Sequence, residues 1–352
     1  MRHSILRGNS ILRRAGAVGA AALLLTGVTT TAAQADSSTE LPLLSYGAIV
    51  VDDDHDQVFI SGGPSSNGIV VTDFEGRVKK TIPKQSGATG MALDAQRDKL
   101  YVALATGDAI SVIDLHSLRE IKRHSTGART CPTYVARTGD NVWFGHGCDD
   151  NWSGGVGRLD TAVSPPTVQL SQQGDARFLR APVLAAADPD RAEGPLVASQ
   201  LALSRSTSWV YTVSDTNALQ VRTSSDAPGS NLVDTDVDAT GELLYTASRS
   251  TNDFPAYETT GLAGRGAYRV GYYPAAVSIS PNDEYLALGI QNPDNDVFIY
   301  EPGGVLPVER LDVTDDVVAL RGLAWSRYAD KLFAVTVGAT GGSPTLEIVD
   351  FS

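Results

Sequence analysis

The stretch Asp98-Lys99-Leu100-Tyr101-Val102 decides how this chain is read. A polar turn residue and a second residue lead into three apolar or aromatic ones. The pattern returns as Asp56-Gln57-Val58-Phe59-Ile60, Asp140-Asn141-Val142-Trp143-Phe144 and Gly194-Pro195-Leu196-Val197-Ala198. It returns again as Glu242-Leu243-Leu244-Tyr245-Thr246, Asp283-Glu284-Tyr285-Leu286-Ala287 and Asp330-Lys331-Leu332-Phe333-Ala334. Successive copies begin 42, 42, 54, 48, 41 and 47 residues apart. A period of this length marks a stack of units that cannot bury their apolar faces alone.

Each copy has the same neighbours. An apolar run precedes it, as in residues 48–52, 90–94 and 322–326. A further strand follows a polar loop and often closes on an acid, as in 69–73, 110–114, 156–160, 297–301 and 346–350. A more polar segment, such as 77–82 or 119–124, completes the unit. Four short strands per period of roughly 40–50 residues describe a propeller blade. Tandem sandwiches would repeat at about 100 residues. The expected fold is therefore all-β, a seven-bladed propeller of four-stranded blades spanning residues 36–352. The last unit supplies only three strands. Residues 40–45 are expected to add the fourth and close the ring, which removes exposed edges. Pro42 suits an outermost strand.

The strings Leu100-Tyr101-Val102-Ala103, Val210-Tyr211-Thr212-Val213, Leu244-Tyr245-Thr246-Ala247 and Tyr285-Leu286-Ala287-Leu288 resemble the YVTN-type, YncE-like propellers. Val277-Ser278-Ile279-Ser280-Pro281-Asn282-Asp283 is similar to that family's strand–turn signature. The resemblance runs from residue 36 onward and implies a fold rather than an activity. Most turns depart from the family's Pro-Asp-Gly, as in Asp94-Ala95-Gln96-Arg97-Asp98.

Residues 1–35 read as a secretory leader. Arg2, Arg7, Arg13 and Arg14 precede an apolar stretch at 15–28, and Ala33-Gln34-Ala35 fits signal peptidase. Cleavage is expected between Ala35 and Asp36. The apolar stretch is shorter than the ~20 residues a membrane span needs. Arg13-Arg14 keeps twin-arginine export beside general secretion. The leader resembles those of high-GC Gram-positive bacteria. The expected location is extracellular, with loose wall retention as the variant.

The net charge is −13, and the leader carries no acid, so the remainder is more acidic still. Such a surface repels nucleic acid. Cys131 and Cys148, the only cysteines, flank the hairpin of the third blade and face one another across it. A disulfide is expected in an oxidising compartment.

In a propeller, the loops between blades and those between second and third strands share one face around the channel. Four clusters are expected there: Asp149, Asp150, Asn151 and Trp152; Arg249, Asn252, Asp253 and Phe254; Tyr268, Tyr272 and Tyr273; and Asn292, Asp294 and Asn295. Asp and Asn also build turns through their own backbone. Trp152 stands out because an indole on a Gly-flanked polar loop has little core to join. His55, His116, His124 and His146 have no evident catalytic partner, and nucleophile and phosphate-loop motifs are absent. The residues point to a monomeric binding module for a protein, peptide or cell-envelope glycan, with no catalytic residues, resident metal or cofactor. Ca²⁺ or Mg²⁺ is the minor alternative for the Asp/Asn loops. A propeller-type lactonase or lyase with a channel metal is the alternative function.

Overall fold

The apolar repeat becomes the second strand of each sheet. In the computed structural model, residues 35–292, 296–313, 316–338 and 341–351 are described. They form seven four-stranded antiparallel sheets. The chain is a seven-bladed β-propeller. Innermost strands are Ala48–Asp52, Ala88–Asp94, Pro132–Thr138, Val183–Ala186, Leu232–Val237, Pro274–Ile279 and Val317–Trp325, for blades 1 to 7.

Burial explains why the repeat was so apolar. The second and third strands of blade 1, Gln57–Ser61 and Gly68–Thr72, are buried at every residue. Successive strand residues point to opposite faces, and here both faces are covered. Leu100 and Val102 pack with Phe59, Ile69 and Val71 of blade 1. Tyr101 and Ala103, between and beside them, pack with Val142, Phe144 and Leu159 of blade 3. The core is a ring of layers, one between each pair of neighbours. Outer strands such as Arg119–Ser125 face solvent on most residues.

The turn residue of the repeat has a backbone reason. Asp56, Asp98 and Asp283 adopt φ of 49°, 53° and 59° in the hairpin between first and second strands. Asp tolerates this left-handed region better than most residues. Asp therefore serves at this turn position without breaking the hairpin.

The ring closes as expected but with a different segment. Ser37–Glu40, rather than residues 40–45, pairs with Thr345–Asp350. Ser38 Oγ donates to Glu347 Oε1 at 3.0 Å. Leu41 and Leu43 are buried instead in the layer between blades 7 and 1. The two leucines thus act as packing anchors, and Pro42 between them is exposed. Residues 1–34 of the leader lie outside the described residues. Among the described residues, no helix is long and apolar enough to cross a membrane.

Candidate functional site

Antiparallel strands alternate direction, so the loops between second and third strands open on the same face as those linking blades. Two grooves of about 630 Å³ lie on this face. One sits between blades 3 and 4, the other between blades 5 and 6.

The first groove is lined by Trp152, Arg177, Gln200, Arg205, Trp209 and Val221, among others. Trp152 is 50% exposed on the loop after Asn141–His146. Its backbone N–H donates to the Leu179 carbonyl at 3.1 Å, and the Gly154 N–H donates to that of Phe178 at 3.1 Å. A Cβ at Gly154 would run into the Arg180 carbonyl, so only glycine permits this approach. The loop is thereby sewn to residues 178–180. Beneath, the Phe178 ring meets Trp209 edge-on at 4.7 Å.

The disulfide forms as expected, with Cys131 and Cys148 Cα atoms 5.1 Å apart. The two residues are not directly opposed in the ladder. A bulge at the start of Pro132–Thr138 sets Pro132 opposite His146. Asp108 of blade 2 accepts the N–H groups of Arg129, Thr130 and Cys131 at 2.8–2.9 Å. Burial raises the Asp108 carboxyl, but these donors outweigh it and hold its pKa below the ordinary range.

The acids of the Trp152 loop are engaged. Asp149 pairs with Arg129 at 2.9 Å and Asp150 with Arg180 at 2.7 Å. Asn151 Oδ1 accepts the Ser153 N–H at 3.1 Å, a local turn bond. Only Trp152 of that cluster lines the groove.

The second groove includes Arg269, Tyr272, Tyr273, Gln291, Asn292 and Arg310. Tyr272 and Tyr273 are 69% and 59% exposed. Arg249 donates to Gln291 Oε1 at its edge. The Arg310 guanidinium lies 5.9 Å above Phe298. Phe254 is not at this surface. With Asp253 it opens the strand Asp253–Glu258, and its ring is fully buried between blades 5 and 6. Tyr268 is buried as well, stacked edge-on against Tyr300. Asn252 is exposed. Asp294 and Asn295 lie outside the described residues.

The channel is crossed by side chains. Arg321, on the bulged inner strand of blade 7, has φ 60°. Its guanidinium stands 4.9 Å over the Tyr134 ring of blade 3 and donates to the Val233 carbonyl of blade 5 at 3.4 Å. Tyr46 Oη donates to the Arg321 carbonyl at 2.7 Å. Blades 3, 5 and 7 are not neighbours, so these contacts run through the axis. Burial pushes the Asp234 carboxyl up to about 7, opposed by backbone bonding to Val277 and by the charge of Arg321.

Sequence reasoning missed Trp209, Arg177 and Arg205. Trp209 lies in a strand reading Ser-Trp-Val-Tyr, where core packing was the natural reading. It also missed the meeting of His55 and His116 on the opposite face, at 3.4 Å between Nε2 atoms.

No protein-family model matches the chain, and no curated protein matches it in sequence. Solved structures do match in fold. The β-propeller domain of Myceliophteria thermophila Cps50 (Swd1) aligns at TM-score 0.67 and 11% identity, covering 91% of this chain and 99% of that one. A chain of a Mitotic Checkpoint Complex aligns at 0.70 and 12% identity, covering 98% and 99%. A chain of Kuenenia stuttgartiensis Hydrazine Synthase aligns at 0.64 and 15%, covering 89% and 97%. At these identities the likeness is one of fold. The YVTN-type resemblance has no matching family model behind it.

Proposed function

We propose that this is an exported, monomeric binding module that holds a protein or peptide segment in the groove between blades 3 and 4. The observation that carries this reading is the half-exposed Trp152 beside Trp209, flanked by Arg177 and Arg205. Trp and Arg dominate the energetics of protein interfaces. Trp152 also sits at φ 65°, a conformation that costs a bulky residue about 1–3 kcal/mol. The surrounding loop bonds maintain that cost, which suits a side chain held for contact. The leader at 1–35, the domain at 36–352 and the disulfide support export. Because the structural neighbours come from unrelated proteins, the fold alone favours no ligand. A cell-envelope glycan stacked on Trp152 is the second ligand class.

The test displays purified residues 36–352 to a random peptide library and a glycan array, with affinities read by tryptophan fluorescence. A selected peptide should lose at least tenfold in affinity to Trp152→Ala, roughly 1.4 kcal/mol. Tyr272→Ala should leave it unchanged. Full affinity in Trp152→Ala overturns the groove assignment. A glycan hit lost in the same variant moves the ligand class, not the site.

A further inference from the structure

The face opposite the grooves carries a second cluster. His55 lies in the hairpin turn of blade 1, Asp98 in that of blade 2, and His116 in the turn after the third strand of blade 2. Their ligand atoms all lie within 4.8 Å of one another. His55 Nε2 stands 3.4 Å from His116 Nε2 and 3.8 Å from Asp98 Oδ1. Zinc–nitrogen bonds of about 2.0–2.1 Å place two tetrahedral nitrogens roughly 3.4 Å apart. The other His/Cys/Asp/Glu grouping among the described residues, Asp108 with Cys131 and Cys148, uses its sulfurs in the disulfide.

A buried group orients the site. His55 Nδ1 donates to Asp52 Oδ2 at 2.8 Å, and the Asp52 side chain is wholly buried. That bond leaves Nε2 as the nitrogen with the free lone pair. A carboxylate behind an imidazole is the usual support of a metal-bound histidine. Asp52 Oδ1 is buried with no hydrogen-bond partner. Two ammonium groups are nearby: Lys79 on the His55 and Asp56 carbonyls at 3.3 and 3.4 Å, and Lys80 on the Ser117 carbonyl at 2.9 Å.

We infer that His55 Nε2, His116 Nε2 and the Asp98 carboxylate bind one Zn²⁺ ion between blades 1 and 2, with Asp52 as the positioning residue. Two imidazoles favour zinc over Ca²⁺ or Mg²⁺, which take oxygen ligands. Three protein ligands leave the fourth tetrahedral position to water. The site is independent of the groove on the other face.

The test uses the untagged, exported protein, stripped with chelator and titrated with Zn²⁺ by calorimetry. Co²⁺ absorption in the visible reports tetrahedral geometry. One equivalent should bind, and Zn²⁺ should raise Tm. His116→Ala, an exposed residue whose loss spares the fold, should weaken binding at least tenfold. Asp52→Asn should weaken it about 10–100-fold. His55→Ala gives the same loss, with circular dichroism checking its fold. His124→Ala should change nothing. Absence of saturable binding overturns the inference. So does binding that survives His116→Ala, or equal stabilisation by Ca²⁺.

Discussion

The two grooves share a face and a volume but are held together differently. Between blades 3 and 4, the loop bearing Trp152 is fixed by the Cys131–Cys148 bond and by arginine–aspartate pairs. Between blades 5 and 6, the inner strands are joined by two carboxylates of blade 5, one buried and one half-buried. Asp234 and Asp236 on the inner strand of blade 5 accept the N–H groups of Val277 and Ile279 on blade 6, at 2.9 and 3.0 Å. Burial pushes both carboxyls up to about 7. The loop over the first groove thus depends on a redox state, and the seam between blades 5 and 6 on a protonation state. Equal shape does not imply equal response to the surroundings.

The largest expected effect is that of Phe178→Ala. Removing a fully buried ring from beneath Trp209 should cost about 3–5 kcal/mol in denaturant unfolding. A loss below 1 kcal/mol would show that the first groove does not rest on this ring pair. Next comes the double variant Cys131→Ser with Cys148→Ser. Opening a link across 17 residues should cost about 3 kcal/mol. Hydrogen exchange should rise in the 147–154 loop and stay level at 270–273. Equal loosening at both would erase the contrast.

A third effect concerns pH. Asp234 and Asp236 have folded pKa values near 7, above the ~3.9 of an unfolded aspartate. The folded state therefore binds more protons between these values. Their stabilising contribution is complete below about pH 4 and is lost as pH rises toward 7. Tm should fall between pH 5 and 8, and Asp236→Asn should flatten that slope. Exchange should rise near blades 5 and 6 and remain level in the stapled loop. A Tm that stays level over this range would mean the two carboxylates are ionised in the folded state, stabilised by their backbone donors.

Much of the fold was readable because each blade is covered on both sides. Leu100, Tyr101 and Val102 face alternate neighbours, so no polar residue interrupts the run. The cysteine pair was readable because a hairpin brings residues equidistant from its turn together. Phe254 was misplaced because strand and loop meet at Asp253, and alternation turns the next side chain inward. The closing strand was shifted because Leu41 and Leu43 read as strand while serving as loop anchors. The His55–His116 pair was hidden by its 61-residue separation. It emerges only once two turns of neighbouring blades are known to share a face. Arg321 was invisible for the same reason, since its partners sit across the axis.

The closing strand also has a consequence for timing. Ser38 and Glu347 are 309 residues apart, yet they are hydrogen-bonded partners in one sheet. A ribosome makes the first of them 309 residues before the second. Until then Ser37–Glu40 has no sheet to join, and the layer holding Leu41 and Leu43 lacks one wall. The blades can form in order as they are synthesised, but the circle locks only when the final strand arrives. The ring is therefore its own check on completeness: a chain cut short in its last blade keeps two open edges and cannot pass for a finished one.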